Sequence, residues 1–141
     1  MKNNIKEFCK FMQNRIDTLQ KKDCSNCAGT ALYIVGELEK DEYISRIHYK
    51  NKLESLDLTN SIQIGLLIAW HDKSKTSEHI GVIVNTNPLL IANRRGRHGY
   101  FEPHETLKEI NETYNRITTK IKYYIPSKLS QIINYSLSLT T

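Results

Sequence analysis

Cys27 and His79 are the two residues of this 141-residue chain whose types and placement suit covalent chemistry. A thiol attacks a carbonyl only as its thiolate, and an anion at a helix start is stabilised by backbone N–H groups without intrahelical partners and by the helix dipole. Asn26 or Ser25 supplies an N-cap, and Ala28, Ala31, Leu32, Val35 and Leu38 share one face after it. The spacing predicts a helix opening near Cys27 and a thiol pKa below the ~8.5 of a free cysteine. The thiol also needs a base, and His79 opens an alternating segment that must pack near that helix. Two positions on, Gly81 shares the face of His79 and is expected to leave room for the helix end. A third polar group must hold the imidazole in one tautomer; Asn93, at the end of the next strand, is best placed, with His98 as its rival. The Cys27 backbone N–H and a donor from the preceding loop would make an oxyanion hole.

Each residue has an ordinary structural alternative. Cys27 alone reads as a buried helix cysteine, His79 as a hydrogen-bonded structural histidine and Asn93 as a turn residue. Their combination selects the catalytic reading. Cys24-x-x-Cys27 and the pair His98 and His104 have ligand-like spacing, but the distance between the pairs is far beyond that of a zinc finger, and Cys27 opens a helix. No metal and no cofactor are expected. Arg94, Arg95 and Arg97 follow Asn93 directly, which puts them at the rim of such a cleft, either gripping a substrate carboxylate or phosphate or forming a solvated loop.

The elements that must position these residues change character along the chain. Ile5, Phe8, Cys9, Met12, Ile16 and Leu19 form one helical stripe. Asp41 to Leu58 contains a shorter helix. From Ile62 the period falls to two, with Ile62, Ile64, Leu66, Ile68 and Trp70 alternating as a strand. His79 to Asn85 and Leu89 to Asn93 follow as strands joined by the Asn85-Thr86-Asn87-Pro88 turn, and by connection length they are antiparallel neighbours. A helical stretch runs from Glu105 to Tyr114, and Ile117 to Ile125 forms a last strand, ended by Pro126. Helices first and sheet afterwards predicts one α+β domain over residues 1–141, with a mostly antiparallel sheet of four to five strands.

Asn26-Cys27-Ala28-Gly29, followed by Thr30-Ala31-Leu32-Tyr33, resembles the nucleophile motif of the NlpC-type cell-wall peptidases, within the papain-like cysteine hydrolase superfamily. In that family a glycine stands two positions after the cysteine and an aromatic residue six positions after it. Ile64-Gly65-Leu66-Leu67 is similar to the family's next strand, and His79-Ile80-Gly81-Val82 to its base motif. Asp23-Cys24-Ser25 imitates the nucleophile motif too, but it lacks the glycine and puts Cys27 where an apolar residue belongs. The resemblance covers about half the chain, Ser25 to Asn93. It implies a papain-like fold and a Cys27–His79–Asn93 triad that cleaves peptide or amide bonds such as those of cell-wall stem peptides. A papain-like deamidase or acyltransferase acting on a protein or lipid fits the same residues.

Twenty Lys and Arg against fifteen Asp and Glu give a net charge of +5, which favours anionic partners without naming one. A basic nucleic-acid- or protein-binding module using Arg94, Arg95 and Arg97 with the eight tyrosines is the second reading, although no nucleic-acid motif is present. No segment approaches the roughly 18 uninterrupted apolar residues of a membrane span. The N-terminal stripe is amphipathic, unlike a secretory signal, and three cysteines cannot make a full disulfide framework. The expectation is a cytoplasmic protein, or one secreted or injected without a classical signal peptide.

Overall fold

The computed structural model describes residues 4–19, 25–72, 77–95, 99–114 and 120–140. Among them are five helices and six strands: α1 (Ile5–Asp17), α2 (Cys27–Ile34), α3 (Arg46–Glu54), β1 (Asp57–Thr59), β2 (Leu67–His71), β3 (Ser77–Thr86), β4 (Leu89–Arg94), β5 (Phe101–Thr106), α4 (Leu107–Tyr114), β6 (Lys120–Ile125) and α5 (Ser127–Thr140). The strands form one open antiparallel sheet in the order β1-β6-β2-β3-β4-β5. The class is α+β.

Six strands replace the expected four to five, and the additions, β1 and β5, are the two edges. β1 has only three residues, and β5 contains Pro103, a residue confined to edge positions because it cannot donate to a ladder. Between Ile62 and Leu66 the chain is a lead-in, not a strand. Gly65 sits there at φ +98, where a Cβ would lie 2.6 Å from the Phe8 ring. β2 is buried along its whole length, as a central strand covered on both faces should be.

α1 buries Phe8 and Met12, and its Arg15 donates to the Tyr33 and Leu38 carbonyls, capping the C-terminal end of α2. The Arg15 guanidinium also covers the rings of Phe11 and Tyr33. α2 packs on β3 and β4, α1 on α2 and α5, and α4 on β4 and β5. The core runs from Leu32, Ile34 and Val35 of the α2 region through Leu67, Ile68 and Trp70 to Ile80, Val82, Ile83 and Ile91.

The helix expected from Glu105 begins two residues later. Thr106 and Glu109 exchange hydrogen bonds in a capping box, Glu109 N–H donating to Thr106 Oγ1 at 3.2 Å and Thr106 N–H to Glu109 Oε1 at 2.9 Å. That leaves Glu105 on β5, where it is buried. Of the last expected strand, Lys120–Ile125 forms and Ile117 lies outside the described residues. No described helix is long and apolar enough to cross a membrane.

Candidate active site

Cys27 is the first residue of α2, as its sequence context requires. Asn26 caps the helix: its Oδ1 accepts from the Gly29 N–H at 2.9 Å and the Ile44 N–H at 3.2 Å, and its Nδ2 donates to the Ile44 carbonyl at 2.8 Å. The same side chain therefore starts the helix and fastens it to the segment that returns past it. Glu42 passes so close that a Cβ on Gly29 would stand 1.7 Å from its carbonyl oxygen. Glycine is the one residue this approach admits, which gives the Cys-x-Gly spacing a packing cause.

Half-buried, the Cys27 thiol lies against the backbone amide of Ile80, the residue after His79. Burial raises its pKa, and the amides of Ile80, Ala28 and Cys27 itself pull downward without overcoming it. This corrects the expected lowered thiol pKa. The helix-start stabilisation exists, but loss of hydration outweighs it. His79 is fully buried, and burial lowers its pKa to about 4; the Asn93 hydrogen bond and the Glu105 charge raise it, and the Arg95 charge lowers it further. The two groups rest as neutral thiol and neutral imidazole near neutral pH.

His79 and Asn93 do meet. Nε2 of His79 and Oδ1 of Asn93 are 2.9 Å apart, while Asn93 Nδ2 donates to Glu105 Oε1 at 3.0 Å. An ionised carboxylate only accepts, so the amide nitrogen must face Glu105 and the amide oxygen must face His79. Nε2 then carries the proton it donates to Oδ1, and Nδ1 is the basic nitrogen. The ring packs against Trp70 across the β2–β3 pair at a centroid distance of 5.4 Å, and Trp70 Nε1–H is held by Asn111 Oδ1 at 2.7 Å.

Sheet geometry explains the alignment. Val82 pairs with Ala92 and Ile91 with Glu105, so His79, Asn93 and Glu105 lie on diagonals across β3, β4 and β5. A Cβ at Gly81 would meet Ile91 Cγ2 at 2.7 Å, the Ala92 carbonyl at 3.0 Å and Asn93 Cβ at 3.1 Å, so the glycine makes room first of all for β4.

The arginines are also corrected. Arg94 has no exposed surface; its Nη2 bonds Asp41 Oδ2 at 3.0 Å, its Nε donates to Thr30 Oγ1 at 2.7 Å and its Nη1 to the Gly99 carbonyl at 3.0 Å. Asp41 Oδ1 accepts from Ser25 and Thr30 in turn, at 2.6 and 2.7 Å. Arg94 is thus a buried tie between β4 and the segments flanking α2, with no reach to a substrate. Arg95 is partly exposed, but its guanidinium is paired in a fork with Glu105, Nε donating to Oε1 at 2.9 Å, and Nη1 donates to Thr113 Oγ1 at 2.6 Å. Arg97, Cys24 and His98 lie outside the described residues. His71 is a buried neighbour of the Tyr124 hydroxyl at 3.1 Å.

No family model, curated protein or solved structure matches the chain. The site therefore stands on its geometry.

Glu105, Trp70 and Asp41 are the site residues that sequence reasoning missed. Trp70 carried a signal, since it shares the alternating face of an adjacent strand. Glu105 read as the start of a helix, and only the register between β4 and β5 brings it to Asn93.

Proposed function

We propose that the chain is a papain-like cysteine hydrolase acting on an amide or peptide bond, with Cys27 as nucleophile, His79 as base and Asn93 as the group that orients His79. The observation that carries this reading is the buried His79–Asn93 hydrogen bond beside the N-terminus of α2, because it directs the basic nitrogen of His79 away from Asn93. Nδ1 takes the thiol proton as sulfur attacks the carbonyl carbon. The C–S bond forms, the C–N bond breaks, and the imidazolium returns the proton to the leaving amine. Water then attacks the thioester and gives its proton to Nδ1. A C–O bond forms, the C–S bond breaks, and the thiol is restored. The main-chain amides of Ile80, Ala28 and Cys27, which face the thiol, supply the donors available to the developing oxyanion.

Because both partners rest neutral, proton transfer accompanies attack and does not precede it. The sequence resemblance to NlpC-type peptidases makes cell-wall stem peptides the first substrates to try. The nucleic-acid reading is less well supported, since Arg94 and Arg95 are turned inward onto Asp41 and Glu105.

The test is an acid quench of the chain mixed with cell-wall peptides and with N-acyl amino-acid amides, followed by mass spectrometry of the protein. A thioacyl adduct on Cys27, absent in Cys27→Ala and slowed at least ~100-fold in His79→Ala, is expected. Turnover that survives Cys27→Ala, or an adduct on Cys9, overturns the assignment.

A further inference from the structure

We propose that Glu105 is a positioning residue for the Cys27–His79 pair: its carboxylate, clamped by Arg95, holds the Asn93 amide in the one orientation that leaves Nδ1 of His79 unprotonated. The inference rests on the hydrolase reading and extends the triad to a residue that touches neither thiol nor imidazole.

A carboxamide has two ends of nearly equal shape, and turning it over exchanges an acceptor for donors. With the amide oxygen toward His79, Nε2 holds the proton and Nδ1 is basic. With the nitrogen toward His79, Nε2 must accept, the proton moves to Nδ1, and the base is lost. Asn93 packing alone does not choose between these states.

Glu105 does choose. Burial pushes its carboxyl up, but the Arg95 guanidinium and the Asn93 amide outweigh burial and hold it below the usual carboxylate range, so it is an anion that only accepts. The wrong amide orientation would set Oδ1 against this carboxylate. Asn93 is 1% exposed and Glu105 7%, so little water is at hand to relieve that contact. Arg95 fixes the carboxylate through both oxygens and is itself tied to Thr113 on α4. Orientation therefore passes diagonally across three strands, from α4 through β5 and β4 to His79 on β3.

The experiment reads the His79 tautomer directly by long-range 1H–15N correlation of ¹⁵N-labelled chain near neutral pH, beside kcat/KM on whichever amide the chain turns over. Wild type is expected as the pure Nε2–H form. Glu105→Ala should show Nδ1–H signal and a kcat/KM at least ~10-fold lower. Asn93→Asp alone sets two carboxylates side by side and should fall at least as far. Adding Glu105→Gln to Asn93→Asp moves the charge one residue along: the introduced aspartate accepts from His79 and from the glutamine amide, whose oxygen accepts from Arg95. The double variant should recover at least ~10-fold over Asn93→Asp and regain Nε2–H, a reciprocity that a merely structural glutamate would not produce. If Glu105→Ala fails to fold, the double variant decides, since it keeps the charge content. An unchanged tautomer with unchanged kcat/KM in Glu105→Ala, a wild type in the Nδ1–H form, or a double variant no better than Asn93→Asp overturns the proposal. Turnover that survives Cys27→Ala sinks the hydrolase reading instead, and the tautomer still reports on Glu105.

Discussion

Arg94 and Asp41 form a buried ion pair at 3.0 Å that joins the end of β4 to the segment following α2. Thr30 and Ser25 complete the arrangement, so a single guanidinium and a single carboxylate organise both flanks of the helix that opens with Cys27. Removing one partner strands the other in a dry environment. Arg94→Ala should cost roughly 3–5 kcal/mol of stability, read as a lower urea midpoint. A variant with unchanged stability and a raised KM would restore the substrate-gripping role that the buried geometry denies.

Gly81→Ala tests the spacing between β3 and β4. Its Cβ would stand 2.7 Å from Ile91 Cγ2 and 3.1 Å from Asn93 Cβ, so β4 must shift. About 1–3 kcal/mol of destabilisation is expected from overpacking, with a loss of turnover in the variant that still folds, because Asn93 moves with its strand. Equal thermal midpoints and equal activity would show that β4 gives way without cost.

Stability should depend on pH through His79. Its folded pKa is about 4 against an ordinary 6.5, so between those values the unfolded chain binds a proton that the folded chain refuses. The contribution is complete above about pH 6.5 and shrinks as pH falls toward 4, by roughly 3 kcal/mol in all. Urea titrations across pH 4–7 should show this slope in wild type and a flatter one in His79→Gln. Glu105 acts in a lower window: its depressed carboxyl adds stability that is lost only as pH falls below the ordinary carboxylate range. Parallel slopes in the two proteins would mean that His79 titrates normally in the fold.

Alkylation of the thiols should follow the raised Cys27 pKa. A small alkylating agent should modify Cys27 slowly near neutral pH, with the rate climbing through alkaline pH above the range of a free thiol. A substrate-like electrophile that can use His79 should react fast at neutral pH and lose that advantage in His79→Ala. A plateau below pH 8 with the small agent would mean that a thiolate–imidazolium pair already exists at rest.

Much of the site was legible in the sequence because its signals are local. Asn26 before Cys27 announces a helix start through capping chemistry that needs only neighbouring residues. The alternation from His79, the turn ending at Pro88 and the strand closing on Asn93 specify a hairpin. The pairing of Thr86 with Leu89, carried on unbroken, would set Asn93 opposite Val82 and on the face away from His79; the bulge between Ile83 and Asn85 shifts the register by one residue and brings the two onto a shared face. The edge strands and α5 were not legible: β1 is too short to show a period, Pro103 disguises β5, and α5 follows Pro126, which was read only as a strand end.

What tertiary structure decided is the environment, and the environment reversed two inferences. A helix start lowers a thiol pKa only where the anion keeps access to water or to enough donors, and the depth at which α2 sits on the sheet is set by residues far away in sequence. Two consecutive arginines differ in fate because strand alternation turns Arg94 inward to Asp41 and Arg95 across to Glu105. The sequence by itself determined the helix start at Cys27 and the two strands that carry His79 and Asn93, because capping and alternation are local, while the bulge between Ile83 and Asn85 decided that the two side chains share a face. The register between β4 and β5, a contact between strands joined by a loop and read correctly only in three dimensions, determined that Glu105 stands behind Asn93 and hence which nitrogen of His79 is the base.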